Sequence, residues 1–211
     1  IYGLELEHIL SPNRINYFVD RETLIEEHIA GIPGDQFIAS WMGDKRVNKI
    51  RLAKEFVKFN ERCFVRLLGD MRSYNYVVDI TPDFDDVQYR IRAIDFDQQS
   101  YEGKKSLYLP QFFKENNAIV DLCTQLLTHE SFEQYRNEER SLISRRVRLS
   151  RYQIKDLMDV MIKDTISTDS KTEHLKKELS AHYKNDVFLK CRSMGELVKK
   201  SLVMLLKDSK H

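Results

Sequence analysis

Residues 68–78 read LGDMRSYNYVV, and they decide the expected architecture of this chain because they join a helix to a strand. The preceding stretch, 44–67, carries apolar side chains at helical spacing. The following stretch, Tyr76–Ile80, is rich in residues that favour strands. Asp70 and Asn75 are therefore expected in the loop between a helix end and a strand start.

The boundaries of that helix follow from residues that favour helix ends. Asp44 is a good N-cap residue, and Gly69 is a good residue to follow the last helical turn. We therefore expect the helix to be capped by Asp44 and to end at Gly69.

A second strand leads into another pair of carboxylates. Residues 87–94 are rich in strand-forming residues, and Asp95 and Asp97 follow directly. If this strand pairs with Tyr76–Ile80 as a hairpin, Asn75 and Asp95 meet at one end of it. The sequence thus predicts a cluster of oxygen-bearing side chains at that end, with Asp70 one loop away.

These residue types suit phosphoryl transfer from a nucleotide. A carboxylate can orient the attacking hydroxyl and accept its proton. Carboxylate and carboxamide oxygens are ligands that Mg²⁺ accepts, and the ion offsets phosphate charge. Arg72 provides a cation that can steady the moving phosphoryl group.

The same residues resemble the protein-kinase-like superfamily, most closely its aminoglycoside- and choline-type small-molecule phosphotransferases. That family has an Asp followed five residues later by Asn, as Asp70 and Asn75 are, and its metal-binding Asp-Phe-Gly is similar to residues 95–97. The resemblance implies ATP and Mg²⁺ as cofactors and phosphotransfer to the hydroxyl of a small molecule or protein. The implied catalytic residues are Asp70, Arg72 and Asn75, and the implied metal ligands are Asn75, Asp95 and Asp97.

The resemblance extends upstream. Residues 24–29, followed by Gly-Ile-Pro-Gly at 31–34, look like the last N-lobe strand and the hinge, and the Gly-Pro-Gly segment is expected to interrupt regular structure. The likeness implies that residues 1–30 are a remnant of the N-lobe and hinge. Residues 31–211 would be the helical C-lobe with the catalytic and metal-binding loops. Backbone groups of three residues would contact adenine: Glu27, His28 and Ile29.

Some family features are missing or altered. Leu68 stands where the small-molecule branch has His, and Asp97 stands where the family has Gly. No Gly-rich phosphate loop and no strand Lys precede the hinge in this chain, which starts at Ile1. We expect these elements either to lie upstream or to be lost in a degenerate relative. The alternatives are a non-catalytic kinase-like module that binds nucleotide or a partner, and an unrelated helical interaction domain.

Composition limits the partner classes. The 34 basic and 33 acidic side chains leave a formal net charge of +1, so no global field attracts nucleic acid or anionic membrane. The Arg-rich stretch 132–148 could bind RNA or an acidic substrate, but interleaved glutamates favour a solvated face with ion pairs. We therefore do not expect nucleic acid as a partner.

Compartment and fold class complete the expectations. Three well-separated cysteines favour buried free thiols and a cytoplasmic location, and the longest apolar stretches are too short to span a membrane.

We expect an α+β protein, mostly α, with a partial N-lobe hairpin, a hinge and a helical C-lobe containing a small β-hairpin. Beyond the hairpin we expect helices near residues 118–127, 132–148, 151–162, 172–183 and 194–206.

Overall fold

The computed structural model describes residues 1–83 and 86–208, and its fold is α+β and mostly helical with small antiparallel sheets, as expected. The helices are α1 (Tyr2–Leu10), α2 (Gly34–Gln36, continued by a π-helical turn Phe37–Trp41), α3 (Lys49–Arg66), α4 (Asn117–Leu126), α5 (His129–Leu149), α6 (Arg151–Lys163), α7 (Asp169–Tyr183) and α8 (Met194–Asp208). The strands are β1 (Tyr17–Asp20), β2 (Thr23–Glu26), β3 (Ile32–Pro33), β4 (Tyr76–Asp83) and β5 (Asp86–Ala93).

Two small sheets organise the strands. β1 and β2 form an antiparallel hairpin of their own, and β3, β4 and β5 form a second antiparallel sheet in that order. The expectation that residues 31–34 interrupt regular structure is wrong, because Ile32 pairs with Val78 and Pro33 with Val77. A proline is tolerated there because β3 is an edge strand, so the missing N–H leaves no central ladder bond broken.

The central helix, α3, begins and ends at different residues from those expected. Asn48 is its N-cap and accepts a bond from the Arg51 backbone N–H at 3.2 Å. The expected cap, Asp44, instead accepts from the Arg46 backbone N–H at 2.8 Å in the preceding turn. The helix ends at Arg66, and its C-cap Leu67, two residues before Gly69, has a left-handed backbone with φ of 56°.

α3 separates two hydrophobic clusters. On one side its Phe56 packs with the β4–β5 hairpin and α4, and this cluster also takes in Ile29. On the other side its Phe64 packs with α1 and the four helices from α5 to α8. α1 is further held to α3 by a buried ion pair between Glu7 and Arg66. The division into lobes at residue 30 stays a prediction.

The Arg-rich helix α5 is less solvated than expected. Arg136 and Arg140 reach across to Glu61 of α3, whose side chain is buried, at 2.9 and 2.5 Å. Ion pairs are present as expected, but these two join helices rather than lie on a solvated face.

All three cysteines, Cys63, Cys123 and Cys191, are free and buried, which confirms that expectation. Burial raises the pKa of Cys123 to about 12, so this thiol stays protonated at neutral pH. Among the helices of the described residues, none has the length and apolar character needed to cross a membrane.

Candidate active site

Backbone hydrogen bonds fix the loop that carries Asp70. The N–H of Gly69 donates to the carbonyl oxygen of Gln98 at 3.2 Å, and the N–H of Asp70 donates to that of Leu107 at 3.1 Å. Asp70 itself has a left-handed backbone with φ of 56°, a conformation that Asp adopts more readily than most residues. The loop is therefore held by the segments around Gln98 and Leu107, and the left-handed backbone of Asp70 fixes where its carboxylate leaves the loop.

The three expected catalytic residues lie together. The Asn75 side-chain Nδ2 donates to the backbone oxygen of Asp70 at 2.7 Å and approaches its Oδ2 at 3.4 Å. The Arg72 Nε donates to the Asp70 Oδ1 at 2.9 Å. Asn75 is buried, whereas Asp70 and Arg72 are half-exposed, so a carboxylate and a cation face solvent above a buried amide.

The hairpin brings the second acidic pair to the same end. The N–H of Ile94 donates to the backbone oxygen of Asn75 at 3.0 Å, so the end of β5 lies beside the start of β4. Asp95 follows immediately and accepts a bond from the Asp97 N–H at 3.1 Å. Burial raises the pKa of Asp95, and the neighbouring charges of Asp97 and Asp70 raise it further.

The side chains at this end of the hairpin include ligand types that a divalent cation accepts. The Asn75 Nδ2 donates to Asp70, and its Oδ1 makes no hydrogen bond within residues 1–83 and 86–208. The negative charges of Asp97 and Asp70 repel the charge of ionised Asp95, and a bound cation would offset this repulsion. In the described part of the chain no three His, Cys, Asp or Glu side chains are grouped to hold a metal. A cation here would therefore use the Asn75 oxygen, one or two carboxylates and water, which suits Mg²⁺.

Arg72 has a second carboxylate partner. Its Nη1 donates to the Glu115 Oε1 at 2.8 Å, and its guanidinium lies 5.3 Å from the centre of the Phe113 ring. Hydrogen bonds to Asp70 and then to Glu115 raise the pKa of Arg72. Glu115 and Phe113 were missed by sequence reasoning, because nothing in the irregular segment that carries them indicates a contact with residue 72.

Asn116 is the buried support of the site. Its Nδ2 donates to the backbone oxygens of Met71 at 3.0 Å and Pro110 at 2.7 Å, and its Oδ1 accepts from the Tyr76 hydroxyl at 2.9 Å. One side chain thus ties the Asp70 loop, the segment before α4 and the start of β4 together.

The three residues expected to contact adenine differ in surroundings. Glu27 is bound to Asn16, since its N–H donates to the Asn16 backbone oxygen and its Oε2 accepts from the Asn16 Nδ2 at 2.7 Å. His28 is exposed, and the Ile29 side chain is buried in the core. Within the described residues, the backbone groups of His28 and Ile29 make no hydrogen bonds to protein.

The segment after these residues contacts the catalytic loop directly. A Cβ added to Gly34 would lie 2.4 Å from the backbone oxygen of Ser73 and 2.2 Å from the Tyr76 ring. Only glycine permits this approach, so residues 31–34 sit directly against the loop that carries Asn75.

No family model, curated protein or solved structure matches this chain. The kinase-like resemblance therefore stays a prediction that rests on this chain's own residues.

Proposed function

We propose that this protein is an ATP- and Mg²⁺-dependent phosphotransferase with a kinase-like fold that acts on a hydroxyl, most simply that of a small molecule. The observation that carries the proposal is the pair of contacts from the Asn75 amide to Asp70, made where the β4–β5 hairpin also presents Asp95. These contacts support the proposal because they bring a carboxylate and a carboxamide to the same end of the hairpin.

Asp70 would orient the acceptor hydroxyl and take its proton. Arg72 occupies the Oδ1 atom, whereas the 3.4 Å contact from Asn75 to Oδ2 is long for a hydrogen bond. The Oδ2 atom therefore keeps acceptor capacity for a substrate proton.

The metal would be held by the Asn75 Oδ1 and the carboxylates of Asp95 and Asp97. Bound Mg²⁺ supplies charge neutralisation for the phosphate oxygens. Burial and neighbouring negative charge disfavour ionised Asp95, and cation binding would reverse this by favouring the carboxylate form.

Arg72 would face the transferred phosphoryl group. Its side chain is 38% exposed while two carboxylates hold it, so the guanidinium is positioned and still accessible. An oriented cation of this kind stabilises charge that develops on phosphoryl oxygens.

Two features support a nucleotide near the Glu27–Ile29 segment. The unused backbone groups of His28 and Ile29 provide the donor and acceptor types that an adenine edge requires. The close packing of Gly34 on Ser73 connects this segment to the catalytic loop.

The test is ATP turnover by the full-length protein with a panel of hydroxyl acceptors. We expect Asp70→Asn and Asp95→Asn each to reduce turnover by at least 100-fold, on the order of single-group losses in enzymes. Asp121→Asn, at an exposed position on α4, is the matched control and should leave turnover unchanged. Turnover retained by both site variants would refute the mechanism.

A second candidate is a non-catalytic nucleotide- or partner-binding module. It is favoured by the Arg72–Asp70 ion pair, which occupies one oxygen of the candidate base, and by Leu68, which is fully buried where the family has His. This candidate predicts that Mg²⁺-ATP raises the melting temperature without phosphate transfer. An unrelated interaction domain would show no shift with nucleotide or metal.

A further inference from the structure

A groove with an apolar floor lies between α6 and α8, with Val147 and Arg148 at the end of α5 also lining it, apart from the candidate active site. Its volume is about 380 Å³. Ile154 and Met158 of α6 and Leu202 and Val203 of α8 line it. The first three of these side chains are buried and belong to the core, whereas Val203 is 36% exposed at the edge. The floor is therefore part of the hydrophobic core, and the groove is open at the edge formed by Val203.

The two helices run in opposite directions along the groove. A Cβ added to Gly195, at the start of α8, would lie 2.4 Å from the backbone of Met161, near the end of α6. Further along, the Lys199 Nζ lies 4.0 Å from the Asp159 Oδ1. The groove thus extends from the Asp159 region toward Arg151, at the start of α6.

The two ends of the groove differ in charge. At one end Lys155 lies 2.8 Å from Asp159, and Lys199 shares that carboxylate, so the positive charge is partly neutralised. At the other end Arg151 donates to the Tyr152 hydroxyl at 2.7 Å and lies over its ring. No carboxylate of the described residues comes within ion-pair distance of Arg151. Among the described residues Arg151 is therefore a cation without a carboxylate partner, and Arg148 of α5 also lines the groove.

We propose that this groove binds a single-chain amphipathic anion, a fatty carboxylate, with its head group at Arg151 and its alkyl chain over Ile154, Met158 and Leu202. Charge complementarity at one end only favours a ligand with one anionic head. The lined part of α8, from Lys199 to Leu206, spans roughly 10 Å at the helical rise per residue, which suits a medium-length alkyl chain. The groove shares no lining residue with the candidate active site, so the inference does not depend on phosphotransfer.

The direct test is calorimetric titration of the full chain with saturated fatty acids of increasing length, each below its micelle concentration. Burial of one CH₂ strengthens binding by about fourfold. We expect that increase for each added carbon until the groove is filled, and none beyond. The alcohol of the same length should bind at least tenfold more weakly. A continued increase without a plateau, or equal affinity of the alcohol, would overturn the proposal.

Two variants and their controls locate the site. Val203→Trp should fill the groove, and Arg151→Gln should remove the head-group contact, each weakening binding at least fivefold. Val160→Trp, at an exposed position of α6 outside the groove, and Lys190→Gln are the matched controls and should bind normally. If Val203→Trp fails to fold, the variant at Arg151, an exposed position, carries the test. Unchanged binding by Arg151→Gln would overturn the proposal, as would binding only to anionic vesicles or only to an acidic amphipathic peptide.

Discussion

The Asn75 side-chain amide donates to the backbone oxygen of Asp70 over 2.7 Å, and this bond closes the loop that carries the candidate base. Asn75→Ala should lower the free energy of unfolding by about 1 kcal/mol, since it removes one of the two hydrogen bonds to the Asp70 carbonyl and leaves the one from the Arg72 N–H. It should also weaken Mg²⁺-dependent nucleotide binding at least tenfold, because it removes the proposed Oδ1 ligand. Urea denaturation and nucleotide titration measure the two effects.

The control for Asn75→Ala is Asn48→Ala, which removes the N-cap of α3. That variant should lose a similar free energy of unfolding, about 1 kcal/mol, and keep nucleotide binding. Equal loss of nucleotide binding by both variants would indicate that stability, rather than ligation by Asn75, explains the effect.

Asn116 should be among the most sensitive polar residues of the site. Asn116→Ala leaves the Met71 carbonyl and the Tyr76 hydroxyl without this partner and removes one of the two hydrogen bonds to the Pro110 carbonyl, so we expect a loss of about 2 kcal/mol in the free energy of unfolding. Tyr76→Phe removes one of these bonds and should cost about 1 kcal/mol. Asn117→Ala, at the exposed next position, is the control for chemical denaturation. A loss no greater than that control's would contradict the supporting role.

Gly34 and Gly43 offer a matched pair. Gly34→Ala should destabilise by about 2 kcal/mol or more, because its Cβ would overlap the Tyr76 ring and the Ser73 carbonyl. Gly43→Ala has open space around its Cβ and should change the melting temperature little. Thermal unfolding compares the two, and equal melting temperatures would refute the close packing of residues 31–34 on the loop.

His182 should make stability depend on acid. Burial, followed by the charges of Lys105 and Arg136, lowers the pKa of His182 to about 4, whereas an unfolded histidine titrates near 6.5. The unfolded state therefore binds the proton more readily, so the free energy of unfolding falls as pH drops from about 6.5 to about 4. Because His182 is exposed to solvent, which screens its charge, we expect the free energy of unfolding to fall by only about 1 kcal/mol.

Urea denaturation at pH 7 and pH 4.5 measures this dependence. His182→Gln should reduce the pH dependence relative to wild type, and His129→Gln, on the exposed first turn of α5, controls for the loss of an imidazole. An identical pH dependence of wild type and His182→Gln would show that His182 does not contribute.

Short sequence patterns predicted those features of the structure that depend on residues close together in the chain. The Asp70–Asn75 loop and the β4–β5 hairpin follow from spacing and strand-forming residues, so they could be anticipated. The β3 strand could not, because two residues carry no periodic pattern. α5 and α7 begin earlier than expected since Thr128 and Thr168 cap them ahead of the first apolar residues.

Tertiary contacts of the site were beyond sequence reasoning. Glu115 reaches Arg72, and Asn116 reaches Met71, only because the irregular segment before α4 folds back onto the Asp70 loop. Asp44 and Asn48 are both good caps, and the choice depends on the turn between them. In that turn the Val47 N–H donates to the Asp44 backbone oxygen and the Val47 side chain is buried.

The most direct test of the central claim is binding of Mn²⁺, as a paramagnetic substitute for Mg²⁺, to the full-length protein in the presence of ATP. Water proton relaxation should report one tightly bound ion in the wild type and at least tenfold weaker binding in Asp95→Asn and Asn75→Ala, with Asp121→Asn unchanged. No ATP-dependent Mn²⁺ binding in the wild type, or equal binding in all four proteins, would contradict a shared cation site at Asn75 and Asp95.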